Sequence, residues 1–157
     1  MKLNSALFDV LPRVMWIAHV AGIFAASHFI FKEKHQISDE ITLLILSAFL
    51  LFIGTSIFFY SGYYVLRYRE RFSATKVVNE GPFGLVRHPM YVGIYLMLLG
   101  IGFVLSSIAI FVVSLSMLPI WIIECYVEEN RMIELFGDDY IEYRSRVGMF
   151  FPRLRSN

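Results

Sequence analysis

A run of 35 residues, 89–123, contains no charged side chain and constrains the fold of this chain more than any other feature. As one straight helix the run would be about 52 Å long, whereas the hydrocarbon core of a bilayer is about 30 Å thick. We therefore predict that the run turns back on itself near its middle, at Ser106 and Ser107. The product is a helical hairpin with two short spans, 90–105 and 108–123.

Three glycines indicate how the hairpin packs. Gly93, Gly100 and Gly102 lie in its first span, and small residues let the backbones of membrane helices approach closely. We expect them to allow close contact between the two helices of the hairpin.

Two further apolar stretches, 14–31 and 41–66, have the length that a membrane span needs. The whole chain is 57% hydrophobic and 17% charged, which is too apolar for an ordinary soluble domain of 157 residues. The predicted fold is an all-α integral membrane helical bundle with about four transmembrane helices, a helical hairpin and a short C-terminal helical tail. Residues 1–157 form a single domain.

The tail is predicted to be helix, turn and helix. Residues 124–136 are mostly good helix formers, Gly137 lies where a left-handed cap is expected, and the next helix covers 140–146. The aromatic segment 149–152 is expected to anchor either onto the bundle or at the lipid interface.

Lysine and arginine are distributed unevenly between the predicted loops. Of 14 such residues, only Lys32 and Lys34 lie in the loop after the first span, and the others lie in the amino terminus, the central segment and the tail. Because basic residues of short loops mark the cytoplasmic side, this distribution predicts a multi-pass protein with both termini in the cytoplasm.

Polar residues are expected to meet at the cytoplasmic end of the hairpin, because a hairpin brings its two ends together. Glu124, Glu128 and Arg131 share one helix face at spacings of four and three residues. Arg87 and His88 precede the other end. Taken alone, an arginine at the position of Arg87 more often sets the membrane orientation than forms a site. A pair such as Glu128 and Glu129 is more often part of a solvent-exposed helix face. Together they indicate a site of mixed charge.

Several site classes are disfavoured by the sequence. His19 and His28 do not have metal-ligand spacing, and no zinc motif, glycine-rich nucleotide loop or serine nucleophile elbow is found. The net charge of +1 gives no indication of nucleic-acid binding. We expect neither a metal nor a nucleic acid as partner.

Three segments together resemble a known family. GPFGLVRHPMYVG, then EEN, then LFGDDYIEYRSRVGMFFP closely resemble the isoprenylcysteine carboxyl methyltransferase and phospholipid methyltransferase superfamily. The resemblance covers residues 75–152, about half of the chain, and implies a membrane-embedded methyltransferase that uses S-adenosylmethionine. In that reading residues 75–152 are the cofactor-binding half, and a lipid-like or small amphipathic acceptor arrives through the membrane lipids at the cytoplasmic face.

The resemblance implies a set of cofactor-binding residues when it is carried over position by position. They are Thr75, Lys76, Val77, Val78, Phe83, His88, Pro89, Met90, Tyr91 and Glu128.

Arg87 and Glu124 are the predicted catalytic residues. Arg87 supplies a cation at the cofactor site. Glu124 occupies the position, four residues before Glu128, where the resemblance implies an arginine of the substrate site in prenylcysteine enzymes. A carboxylate there disfavours a carboxylate acceptor and suits an amine, whose proton it could help to remove. Glu129 is expected to matter less than Glu128, because neighbouring helix positions point about 100° apart.

Two rival functions stay open at this level. One is a membrane NADPH-dependent reductase of the sterol or isoprenoid type, whose C-terminal region has a similar layout. The other is a non-catalytic membrane scaffold, which predicts that no cofactor binds.

Overall fold

The computed structural model describes residues 21–22, 40–72 and 76–153, with the backbone alone at positions 40 and 69–72. The predicted span 14–31 therefore lies almost entirely outside the described residues, and Thr75 lies outside them. Five helices follow residue 39 in the described part. They are α1 (Glu40–Phe72), α2 (Pro82–Leu85), α3 (Pro89–Val104), α4 (Ile108–Phe136) and α5 (Asp138–Arg146).

The fold is an all-helical membrane bundle, as predicted. Among the described residues there is no strand, and α1 and α4 are each long and apolar enough to cross a membrane, over Ile41–Tyr68 and Ile108–Phe136. Large apolar side chains such as Phe52, Phe59 and Leu115 are exposed on these helices. Such a surface is unfavourable in water and suits contact with lipid.

Buried serines in the long helices satisfy their hydroxyls locally. Ser47 and Ser61 are fully buried, and each donates a hydrogen bond to a carbonyl of its own helix, at Leu44 and Ile57. A polar group without such a partner would be costly in hydrocarbon. These serines therefore fit an apolar environment.

The predicted hairpin is present. Helix α3 ends at Val104 and α4 begins at Ile108, with Ser106 at a φ of 48° and the Ser107 N–H donating to the Gly102 carbonyl. The rings of Phe103 and Phe111 meet across the turn, with 4.9 Å between their centroids.

The expectation for the hairpin glycines is right for one glycine and wrong for two. A Cβ on Gly102 would meet the Phe111 ring across the hairpin, as predicted. Gly93 and Gly100 face α1 instead. A Cβ on Gly93 would lie 2.7 Å from the Gly54 carbonyl oxygen, and one on Gly100 would lie 2.8 Å from the Leu51 side chain. A small residue marks a close approach but does not say which helix approaches.

The chain divides into two compact units, and the long helices contribute to both. One unit comprises Met1–Leu51 and Leu98–Val127, and contains the hairpin turn. The other comprises Phe52–Met97 and Glu128–Asn157, and therefore includes α2, α5 and most of the predicted site residues.

The C-terminal tail follows the prediction. Gly137 has a φ of 56° between α4 and α5, a conformation that glycine adopts without strain. After α5 the chain returns to the segment that precedes α3, where Val86 and Gly148 form a parallel β-bridge. Of the two anchors considered for residues 149–152, the structure has the one onto the bundle.

Candidate functional site

The segment between α2 and α3 carries Arg87 and His88, and its backbone is held in place by the C-terminal tail. The Arg87 N–H donates to the Gly148 carbonyl at 2.8 Å, and the His88 N–H donates to the Met149 carbonyl at 3.1 Å. Pro89 then begins α3, a position where the missing N–H of proline costs nothing. The two side chains are thus presented by a fixed backbone.

Glycine is required just before this segment. Gly81 has a φ of 57°, and a Cβ there would lie 2.5 Å from the ring of Tyr64. The Tyr64 ring therefore packs directly on the backbone at the start of α2. This contact links α1 to the segment that carries Arg87 and His88.

Glu129 is the centre of a buried ion-pair network. Its side chain is 1% exposed and contacts three cationic or titratable groups. The Arg87 Nε lies 2.7 Å from Oε1, the His88 Nε2 lies 3.2 Å from Oε1, and the Arg144 Nε lies 3.1 Å from Oε2. The carboxylate thus joins α4, the segment before α3, and α5.

Arg87 has further contacts that point inward. Its Nη1 donates to the carbonyl oxygens of Arg144 and Val147, at the end of α5. With Nε on Glu129, the guanidinium holds the C-terminal helix and the turn that follows it. The geometry therefore gives Arg87 a positioning role.

Glu128 differs from its neighbour in exposure. Its side chain is 44% exposed. One carboxylate oxygen accepts a hydrogen bond from the Tyr91 hydroxyl at 3.1 Å, and the other lies 3.5 Å from the Nδ1 of His88. Glu128, Tyr91 and His88 therefore form a polar cluster with a carboxylate that solvent can reach.

Two buried tyrosines of α5 support the same region. The Tyr143 hydroxyl donates to the Phe83 carbonyl at 2.7 Å, which fixes α2 against α5. Burial raises the pKa of both Tyr140 and Tyr143 well above the ordinary value for a phenol. Both side chains therefore stay neutral at any physiological pH.

The remaining predicted residues fall in different places. Lys76, Val77 and Val78 lie in the segment before α2, which the Tyr68 hydroxyl contacts through the Asn79 side chain at 3.4 Å. Met90 is half-buried and Pro89 is fully buried at the start of α3. Glu124 is buried too, but it belongs to the other compact unit, and Arg131 is exposed on α4.

The structure thus brings together Arg87, His88, Tyr91 and Glu128 of the predicted site. It adds Glu129, Arg144 and Tyr143, which the sequence interpretation did not select. The sequence does contain one signal for Glu129, which is its position next to Glu128. Neighbouring helix positions point about 100° apart, so the two glutamates must face different surroundings. In the part of the chain that the structure describes, no three His, Cys, Asp or Glu side chains are grouped to hold a metal ion.

Similarity to curated proteins is limited to part of each chain. The cobalt-zinc-cadmium resistance protein CzcN of Cupriavidus metallidurans is 33% identical over 78 residues, or 50% of this chain and 36% of the relative. A protein-S-isoprenylcysteine O-methyltransferase of Schizosaccharomyces pombe is 31% identical over 77 residues, or 48% of this chain and 33% of the relative. A methanethiol S-methyltransferase of Pseudomonas deceptionensis is 32% identical over 73 residues, or 46% of this chain and 27% of the relative.

These matches cover only 27% to 36% of the length of the three relatives. The family model described as phospholipid methyltransferase matches this chain more extensively, over residues 42–139. That range includes almost all of α1, the Arg87–His88 segment, the hairpin and the Glu128–Glu129 pair. Since the match covers more than half of the 157 residues, the chain belongs to the phospholipid methyltransferase family.

Proposed function

We propose that this protein transfers a methyl group from S-adenosylmethionine to a small amphipathic or lipid-like acceptor at the cytoplasmic face of a membrane. The observation that carries the proposal is the cluster of Glu128, Tyr91 and His88, in which a solvent-accessible carboxylate is held beside a buried imidazole. Membership of the phospholipid methyltransferase family supports methyl transfer as the reaction.

The chemistry of the cluster fits this cofactor. S-adenosylmethionine is a sulfonium that also carries an ammonium group and ribose hydroxyls, all of which a carboxylate attracts or accepts hydrogen bonds from. Glu128 supplies that carboxylate at 44% exposure. Residues 76–78, Phe83, Met90 and Tyr91 are proposed to supply the apolar and aromatic walls.

The contacts of Arg87 support a different role from the catalytic one that the sequence predicts. Its guanidinium is paired with Glu129 and bonded to two carbonyls of the tail. It therefore positions His88 and the C-terminal helix, and is not proposed to bind the carboxylate of the cofactor.

The protein contributes to such a reaction mainly by alignment. The cofactor supplies an activated methyl group, whose transfer is an in-line displacement. Holding two reactants in line can account for much of the rate. Rigid placement of Glu128 by Tyr91 and His88 serves this purpose, and no nucleophilic side chain is required.

Replacement of Glu128 by alanine is expected to weaken binding of S-adenosylhomocysteine by about 5- to 150-fold, since a polar contact worth about 1–3 kcal/mol is lost. His88→Ala is expected to act in the same range. Isothermal calorimetry on detergent-purified protein measures both. Glu134→Ala, an exposed change on the same helix, is the control, and an equal loss in all three variants would indicate a solvated helix face.

The reaction itself is tested with methyl-labelled S-adenosylmethionine and membranes that contain the protein. Label is expected in a lipid-phase or small amphipathic product and is expected to be reduced in Glu128→Ala. Oxidation of NADPH without methyl transfer would favour a reductase. Binding of neither cofactor would favour a scaffold.

Glu124 is proposed to select the acceptor. The named relatives include a methyltransferase for isoprenylcysteine and one for methanethiol, so carboxylate and thiol acceptors are both worth comparing. A buried carboxylate repels a carboxylate acceptor. We expect amine or thiol compounds to be methylated in preference to prenylcysteine, and Glu124→Arg to shift the preference towards carboxylates. Efficient methylation of prenylcysteine by the unaltered protein would show that Glu124 does not face the acceptor.

The protein is proposed to cross the membrane four times with both termini in the cytoplasm. Single cysteines in place of Ser38 and Ser156, on a Cys125→Ser background, allow labelling with an impermeant maleimide. The two positions are expected to react from opposite sides. Reaction from one side would contradict the four-span arrangement.

A further inference from the structure

The buried ring of His88 lies between two carboxylates. Its Nε2 is 3.2 Å from an oxygen of Glu129, and its Nδ1 is 3.5 Å from an oxygen of Glu128. An ionised carboxylate only accepts hydrogen bonds, so each ring nitrogen that faces one is favoured with its proton in place. Two such contacts on one ring favour the doubly protonated imidazolium.

Two positively charged side chains that contact Glu129 oppose protonation of the His88 ring. Arg87 and Arg144 both contact the Glu129 carboxylate, and positive charge opposes protonation of an imidazole. The carboxylate oxygens, however, contact the two ring nitrogens directly, at 3.2 Å and 3.5 Å.

Two uncharged aromatic rings also lie beside the His88 ring. The rings of Tyr91 and Phe150 lie 5.7 Å and 6.0 Å from the His88 ring, centroid to centroid. Tyr140, near Glu129, is kept neutral because burial raises its pKa. Among the described ion pairs, two glutamates favour the protonated His88 ring and two arginines oppose it.

We propose that Glu129 is a positioning residue that holds the Nε2 proton of His88, so that His88 is an imidazolium at neutral pH and donates its Nδ1 proton to Glu128. The inference rests on the proposed function, because Glu128 is the carboxylate assigned there to the cofactor. Tyr91 holds Oε1 of Glu128 and His88 lies against Oε2. Both oxygens are thus oriented before a ligand arrives, which is how a supporting contact raises affinity.

The proposal predicts a specific pH dependence. A free histidine loses its second proton near pH 6.5, whereas His88 between two carboxylates keeps it to a higher pH. Affinity for S-adenosylhomocysteine is therefore expected to hold from about pH 6 to 7.5 and to fall above that range. In Glu129→Gln the amide can still form a hydrogen bond with Nε2 but carries no charge, and the two arginines remain. That variant is expected to lose about tenfold in affinity between about pH 6 and 8.

Nitrogen NMR of the full chain, labelled at histidine side chains and without added ligand, reads the ring directly. The His88 signals are those that disappear in His88→Gln, and the other three histidines serve as internal references. Both His88 nitrogens are expected at imidazolium shifts at pH 7, and Glu129→Gln is expected to show the shifts of a neutral ring. A neutral ring in the unaltered protein would overturn the proposal.

Calorimetry at pH 6 and pH 8 completes the test, with Glu142→Gln, an exposed change, as the control. Identical pH profiles for the unaltered protein and Glu129→Gln would overturn the proposal. If Glu129→Gln does not fold, the ring state of the unaltered protein decides alone. If S-adenosylhomocysteine fails to bind at all, the proposed function is wrong, whereas the NMR result still stands on its own.

Discussion

Replacing Glu129 with alanine is expected to lower the free energy of unfolding by about 3–5 kcal/mol, the usual cost of removing one partner from a buried ion pair. Glu129 is 1% exposed and contacts Arg87, His88 and Arg144. Without it, the buried Arg87 and His88 and the partly exposed Arg144 lose the carboxylate that they share. The change also releases α5 from the segment before α3.

Denaturant titration in detergent micelles, followed by circular dichroism, measures this loss. Glu142→Ala is a suitable control, because Glu142 is 69% exposed and its described ion pair is with Arg146, one turn away on α5. Such exposed pairs contribute at most about 1 kcal/mol. Equal stability of Glu129→Ala and Glu142→Ala would show that the buried network contributes no net stability.

The second large effect is expected at the crossing of α1 and α3. Gly93→Leu should cost about 3 kcal/mol, at the upper end of the usual range for overpacking. A Cβ at Gly93 would lie 2.7 Å from the Gly54 carbonyl oxygen, and a Cβ at Gly54 would lie 2.6 Å from the Gly93 carbonyl oxygen. Because backbone atoms meet on both sides, no side-chain rotation can relieve the contact.

Gly62→Leu is the matched control for the helix crossing. Gly62 also lies within α1, but a Cβ there has no atom within 4 Å. Its replacement is expected to be neutral or slightly stabilising, since leucine favours a helix by about 1 kcal/mol over glycine. The same denaturant titration applies to both variants. A loss at Gly62 as large as that at Gly93 would contradict the packing described for α1 and α3.

The architecture of the hairpin could be predicted because it follows from length and charge. A charge-free run of 35 residues is too long for one span, and two serines near its middle mark the turn. The turn at Gly137 was predictable for a similar reason, because a left-handed backbone conformation there favours glycine. Both features depend on local chemistry alone.

The partners of buried groups could not be predicted in the same way. Helical geometry correctly separates Glu128 from Glu129, but it does not say which of the two faces the interior. That direction depends on the docking of α5, whose Arg144 and the Arg87 segment enclose Glu129. The sequence predicts a larger role for Glu128 than for Glu129, whereas the structure has Glu129 as the buried one.

The role of the C-terminal segment is similarly non-local. The hydrogen bonds from Arg87 to Gly148 and from His88 to Met149 join positions about sixty residues apart in the chain. No periodicity or motif within residues 147–150 indicates such pairing. The aromatic residues there predict an anchor, but only the hydrogen bonds in the structure show that this segment binds the backbone at Arg87 and His88.

Calorimetry with S-adenosylhomocysteine is the direct test of whether the cluster around Glu128 binds S-adenosylmethionine. Detergent-purified protein should be titrated with S-adenosylhomocysteine and, separately, with NADPH, using the unaltered chain and Glu128→Ala. We expect saturable binding of S-adenosylhomocysteine, weakened in Glu128→Ala, and no binding of NADPH. Saturable binding of NADPH alone, or S-adenosylhomocysteine affinity that does not change in Glu128→Ala, would contradict this expectation.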